Sequence, residues 1–142
     1  MSALDLDTAR TIVAGVRKHA ADAGFKPMTV VVLDSGGHVV AVEREDGSSI
    51  KRFEIGFGKA HGALSLGMGS RSIMARAEQQ PYFVAAVTHS VGALVPVPGG
   101  VLVKAADGTL LGAVGVSGDT SDHDEEAALA GVEAAGLVAQ AD

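Results

Sequence analysis

The densest group of chemistry-bearing side chains lies between Ile50 and Leu64, where Arg52, Phe57, Lys59 and His61 fall close together. At helical spacing His61 comes four residues after Phe57 and three before Leu64. This places it at the edge of an apolar stripe of Ile50, Phe53, Phe57, Ala60 and Leu64. Arg52 and Lys59, seven residues apart, fall toward the polar side of the same helix. An imidazole beside an apolar strip can ligate a metal centre or hold a hydrogen bond, and the two cations can hold carboxylates. The plainer reading of His61 is a hydrogen-bonded histidine at a subunit or helix–sheet contact.

A second constellation is Arg44, Glu45 and Asp46, followed by Gly47, Ser48 and Ser49 at the start of that helix. Free backbone amides and the Arg44 guanidinium suit one small carboxylate there; a capped turn with a surface salt bridge explains the same residues. His123 with Asp122, Asp124 and Glu125 has the composition of a divalent metal cluster, but helix capping and solvation account for it more simply. Met68 and Met74 are soft donors that read as core filling. His19 suits a helix C-terminus, His38 projects after a glycine turn, and Asp34 is a turn former. His89 receives no role. No G-x-S-x-G, H-E-x-x-H or Walker lysine loop occurs, and Gly112, Gly115 and Gly118 are not spaced as a dinucleotide fingerprint.

The elements that must position these residues follow from composition and periodicity. With 142 residues and a hydrophobic fraction of 47%, the chain is expected to form one domain, residues 1–142, around one core. Aromatic residues are only 4% and glycines number 19, so the core must be built from small aliphatic side chains brought close together. A net charge of −6 opposes binding to nucleic acid. No cysteine is present, which excludes disulfides and thiolate chemistry. The acidic start and the absence of a long apolar run predict a cytoplasmic protein without a membrane span.

Leu6, Ala9, Ile12, Val16, Ala20 and Ala23 predict a first helix, started by Asp5 or Asp7 and closed by Gly24. Two β-branched runs around Ser35-Gly36-Gly37 predict a hairpin. Ser48 or Ser49 is the expected cap of the second helix and Gly67 its end, followed by a helical piece over 71–79. The stretch 81–90 reads equally as helix or strand. Further strands are expected near 93–95, 101–104 and 110–116, with turns at Pro98-Gly99-Gly100 and Asp107-Gly108. Glycines 112, 115 and 118 permit close approach to the last strand. Ser121 and Asp124 have capping-box spacing for a final helix that buries Ala128, Val132, Ala135 and Ala139. The sum is an α/β (α+β) fold with a mostly antiparallel five-stranded sheet.

The chain resembles the GlcG/HbpS-like haem-binding family, which also forms the C-terminal domain of PduO-type proteins. The resemblance covers nearly the whole chain. It is carried by VVVLDSGGHVVAVEREDGS at 30–48, Lys59-Ala60, Pro98-Gly99-Gly100-Val101, and GAVGVSG at 112–118 followed by Asp124-Glu125. Many members have a proline two residues after the paired glycines, where this chain has Leu102. The resemblance implies a profilin-like fold, assembly into dimers, tetramers or octamers, and haem as cofactor. It does not itself nominate His61. Haem needs an apolar slot, cationic partners and commonly an axial donor, which makes His61, Lys59, Arg52 and Phe57 the cofactor-binding candidates. The alternatives are a small catabolic enzyme or accessory subunit binding a carboxylate or carbonyl compound, through Arg44, Asp46, Gly99 and Gly100 with Lys59 and His61, or an assembly protein without an active site. Small side chains bury little area each, so a homo-oligomer is expected in every case.

Overall fold

Asp5 accepts from the Thr8 amide at 2.8 Å, and Gly24, at φ 72°, closes the helix that this cap starts. The computed structural model describes residues 3–142. Helix α1 (Leu6–Ala23) is followed by β1 (Thr29–Asp34) and β2 (Val39–Arg44), the expected hairpin. Next come α2 (Arg52–Leu66), α3 (Ser70–Gln79) and α4 (Pro81–Val91), which settles the ambiguous 81–90 stretch as helix. The chain continues through β3 (Gly100–Lys104), β4 (Leu110–Ser117), α5 (Ser121–Ala134) and β5 (Val138–Gln140). The strands form one antiparallel sheet in the order β2-β1-β4-β3-β5, giving an α+β fold.

Strand alternation divides the interior. Val30, Val32, Val101, Val103, Val114 and Val116 pack with Ala9, Ile12, Val13 and Val16 of α1 and Ala128 and Val132 of α5. Val31, Leu33, Leu102 and Ala113 meet Ala60 and Ala63 of α2 on the other face. Leu102, where the family pattern often has proline, pairs with both Ala113 and Gln140 in the sheet. Beyond α2, the α3–α4 pair closes on Ile73, Val84 and Leu94, with Met68 packed against them as core.

Several local expectations are overturned by contacts distant in sequence. Residues 93–95 form no strand; the fifth strand is β5, because α5 ends at Ala134 and Gly136, at φ 72°, turns the chain onto β3. Ala139 therefore lies in a strand rather than on the final helix. The cap of α5 is Thr120, whose side chain accepts from the His123 amide, and not Ser121. Helix α2 starts after Lys51 without any side-chain cap, so neither Ser48 nor Ser49 fills that role.

The largest revision concerns which face of α2 meets the sheet. The side over the sheet carries Gly56, Lys59, Ala60 and Ala63, while Gly58 and Gly62 are buried against Val95 and Leu94. A Cβ on Gly115 would lie 1.8 Å from the Gly56 carbonyl oxygen, so helix and strand backbones approach as closely as glycine permits. Ile50 is 84% exposed, outside the stripe assigned to it. Lys59 is 1% exposed, not on a polar side. Its ammonium donates to the Val116 carbonyl at 2.9 Å and to Asp124 Oδ2 at 3.0 Å. Burial is the largest influence on both partners, pushing Lys59 down and Asp124 up, while their mutual attraction opposes it. Asp124 also accepts from the Asp119 amide at 2.9 Å, which ties the β4–α5 loop to the pair.

Asp119 holds that loop from its other side. It accepts from the Lys26 amide at 2.7 Å, the Thr120 amide at 2.7 Å and His123 Nδ1 at 2.8 Å. These donors, the Lys26 amide first, hold its carboxyl down at about 2 against an ordinary 3.8.

Two outcomes follow for stability. Lys59→Met or Asp124→Leu alone leaves a buried charge without its partner and should cost about 3–5 kcal/mol in urea unfolding, while the double variant recovers most of the loss. Additive single costs would refute the pairing. Because the folded Asp119 pKa is depressed, its stabilisation is complete above the unfolded value and is lost as pH falls through about 2. Asp119→Ala should therefore melt below the parent at pH 7, with the gap narrowing under about pH 4 and closing near the folded value. A gap that stays constant down to pH 2 would rule this out.

Candidate functional site

With Gly and Ala turned to the sheet, the aromatic side chains of α2 are displaced to its flank. Phe53 and Phe57 stack with ring centroids 5.8 Å apart, and Phe57 and His61 with centroids 5.3 Å apart at an interplanar angle of 20°. The three rings recur every four residues, so they form a ladder along one side of the helix.

The ladder borders a strip of sheet that α2 does not cover. Val42 pairs with Val31, and Val39 with Leu33; both partners lie beneath α2, so Val39 and Val42 point to that face. They are nevertheless 49% and 37% exposed, because β2 is the edge strand and α2 sits over β4, β1 and β3. The result is an open apolar shelf, with β2 as floor and Phe53, Phe57 and His61 as wall.

His61 is oriented, not loose. Its Nδ1 lies 2.8 Å from the Ala93 carbonyl oxygen, an acceptor only, so Nδ1 carries the proton and the neutral ring keeps its lone pair on Nε2. Nε2 faces the β1–β2 turn, where a Cβ on Gly37 would come to 4.0 Å from it and 3.5 Å from Cδ2. Glycine at 37, at φ 83°, serves both the turn and the space beside the imidazole.

The other expected site residues disperse. Lys59 is sealed in its pair with Asp124, and Gly99 and Gly100 make room for it: a Cβ on Gly99 would lie 2.7 Å from Lys59 Nζ. Arg52 reaches Ser49 Oγ at 3.0 Å and Ser117 Oγ at 3.1 Å. The Arg44 guanidinium donates to the Ser48 carbonyl. Asp46 belongs to the opposite side, lining a cleft of about 360 Å³ with Arg17, Phe25, Pro27 and Glu45. Asp122 and Glu125, two of the three carboxylates of the metal reading, both engage Arg71 of α3, and the third, Asp124, faces Lys59. His123 stacks on Phe25 at 4.2 Å, His19 meets Glu126 at 2.7 Å, and His38 folds back on Asp34. No described helix is long and apolar enough to cross a membrane.

Sequence reasoning nominated Phe57 and His61, which the structure stacks side by side, but did not point to Val39, Val42 or the buried role of Asp124. The available signal was the glycines at 56, 58 and 62, which mark the buried side of α2 although they add nothing to a hydrophobic stripe.

Similar folds occur among solved structures. The PduOC:haem complex superposes with a TM-score of 0.85 at 21% identity, covering 96% of this chain and 97% of that one. Protein ORFY of Klebsiella pneumoniae gives 0.80 at 27% identity, covering 92% and 89%. HbpS gives 0.81 at 25% identity, covering 94% and 90%. Among curated proteins none matches. The model of the haem degrading protein HbpS-like family matches residues 4–133, and the chain belongs to that family.

Proposed function

We propose that this protein binds haem on the shelf between α2 and β2, for haem handling or redox sensing. The observation that carries this reading is the Phe53–Phe57–His61 ladder, with Nδ1 of His61 held by a backbone carbonyl and Nε2 free beside Gly37. A carbonyl-held imidazole is the arrangement that fixes a metal-ligating nitrogen. Family membership and the haem-complexed neighbour support the same cofactor.

The residues fit the group. Val39, Val42, Phe53 and Phe57 would supply apolar contacts to it, and Nε2 of His61 would hold its iron. Arg52 remains as a cation near the helix start, whereas Lys59 is committed to Asp124. Haem, when bound, supplies the redox-active iron. The chain's own contribution is to present one imidazole nitrogen, a hydrophobic floor and an aromatic wall.

The shelf is open on one side, and α4 is apolar along PYFVAAVTHSV although only Val84 of it is buried; Tyr82 is 72% exposed. Both features support assembly as a homo-oligomer, with these surfaces covered by other copies. Sedimentation at micromolar concentration should return a multiple of the chain mass; the mass of one chain would refute assembly.

Haemin titrated into apo-protein should give a saturable, stoichiometric Soret shift. His61→Ala should remove the low-spin spectrum and weaken binding by about tenfold or more, with folding unchanged by circular dichroism. A mutant spectrum identical to the parent would remove His61 from the site, and no saturable shift in the parent would remove haem.

A further inference from the structure

Across the sheet from β2 to β4, the register places Arg44, Thr29 and Ser117 in one row: Thr29 pairs with Arg44 on one side and with Ser117 on the other. Paired residues share a face, and Val31, two residues after Thr29, lies beneath α2. The row therefore lies on the α2 face, at the end of the sheet nearest the start of α2. Arg44 donates to the carbonyl of Ser48, while Arg52 donates to Oγ of Ser49 and to Oγ of Ser117. Two guanidinium groups thus converge on adjacent residues of the loop between β2 and α2.

Neither guanidinium has a carboxylate within ion-pair distance among the described residues. The nearby acids of β2 and its end, Glu43 and Glu45, are taken by Arg17 of α1. Lys59, the next cation along α2, has Asp124. The hydroxyls of Thr29 and Ser48 are both buried without a hydrogen-bond partner, and the first turn of α2 has no side-chain cap. An orphan buried hydroxyl costs free energy; Arg52 is half-buried and Arg44 is exposed, so their charges are open to a ligand arriving from solvent. One compact anion would satisfy both hydroxyls while pairing with the two guanidiniums.

We propose that Arg44, Arg52, Thr29, Ser48 and Ser117 form a carboxylate-binding site, separate from the His61 imidazole. The anion meets the two planar guanidinium forks first. It reaches the Thr29 and Ser48 hydroxyls when Arg44 releases the Ser48 carbonyl. Two sources share this chemistry: a free small organic acid, or a carboxylate arm of a larger ligand on the adjoining shelf. The second source alone rests on the haem reading.

Calorimetric titration of the haem-free protein with acetate and malonate tests the first source, and comparison of haemin with its dimethyl ester tests the second. For a free acid, saturable binding should weaken roughly tenfold or more in Arg44→Gln and in Arg52→Gln, fall in Thr29→Val, and persist in His61→Ala. For a carboxylate arm, the parent should prefer haemin to the diester by a similar factor, and both arginine variants should lose that preference. Failure of haemin to bind at all overturns the haem reading and leaves the free-acid titration to decide this one. The site is overturned if acetate and malonate show no binding sensitive to the arginines and no haemin preference depends on them.

Discussion

The Lys59–Asp124 ion pair is the point on which the architecture converges. It joins α2 to the N-terminus of α5 and, through the Val116 carbonyl, to β4, so helices on opposite faces of the sheet are referenced to one buried charge. A charge pair this deep exists only where the backbone leaves room and supplies acceptors. Gly99 and Gly100 give the space against Lys59, and contact between Gly56 and Gly115 sets the height of α2 above the sheet. The family marks Lys59-Ala60, Pro98-Gly99-Gly100 and Asp124-Glu125 are therefore largely parts of one packing solution, although they are far apart in the chain.

That solution has a consequence for the surface. A helix that turns glycine and alanine to the sheet cannot also bury its large side chains there, so Phe53, Phe57 and His61 are left on the flank. The short reach of α2 across the sheet leaves the α2 face of β2 uncovered, and the displaced rings line that gap. An ionic lock in the interior and an apolar shelf outside are two results of the same choice of small residues.

Much of the fold is legible in local pattern. Asp5 and Gly24 bracket the first helix, and the glycine turn at 36–37 joins two β-branched runs. Where reading failed, a competing local signal was outweighed by a distant partner. Asp124 has capping-box spacing after Ser121, yet its carboxylate faces Lys59 and the cap is Thr120. Residues 93–95 have the composition of a strand, but Val95 and Leu94 are used to fill the space left by Gly58 and Gly62 on α2, and the edge beside β3 is taken by β5.

The sequence alone determined the α+β class, the hairpin, most helix limits, the family resemblance and the candidacy of Phe57 and His61. Those properties depend on periodicity, turn chemistry and short motifs, which are local and written in neighbouring residues. Only the tertiary structure decided that Lys59 is interior, that Asp122 and Glu125 serve Arg71, that Ala93 orients His61, and that Arg44 and Arg52 converge. The reason is physical: a charged side chain's environment is set by which backbones can approach it. Here glycines tens of residues away allow approaches that no pattern of hydrophobic and polar residues records.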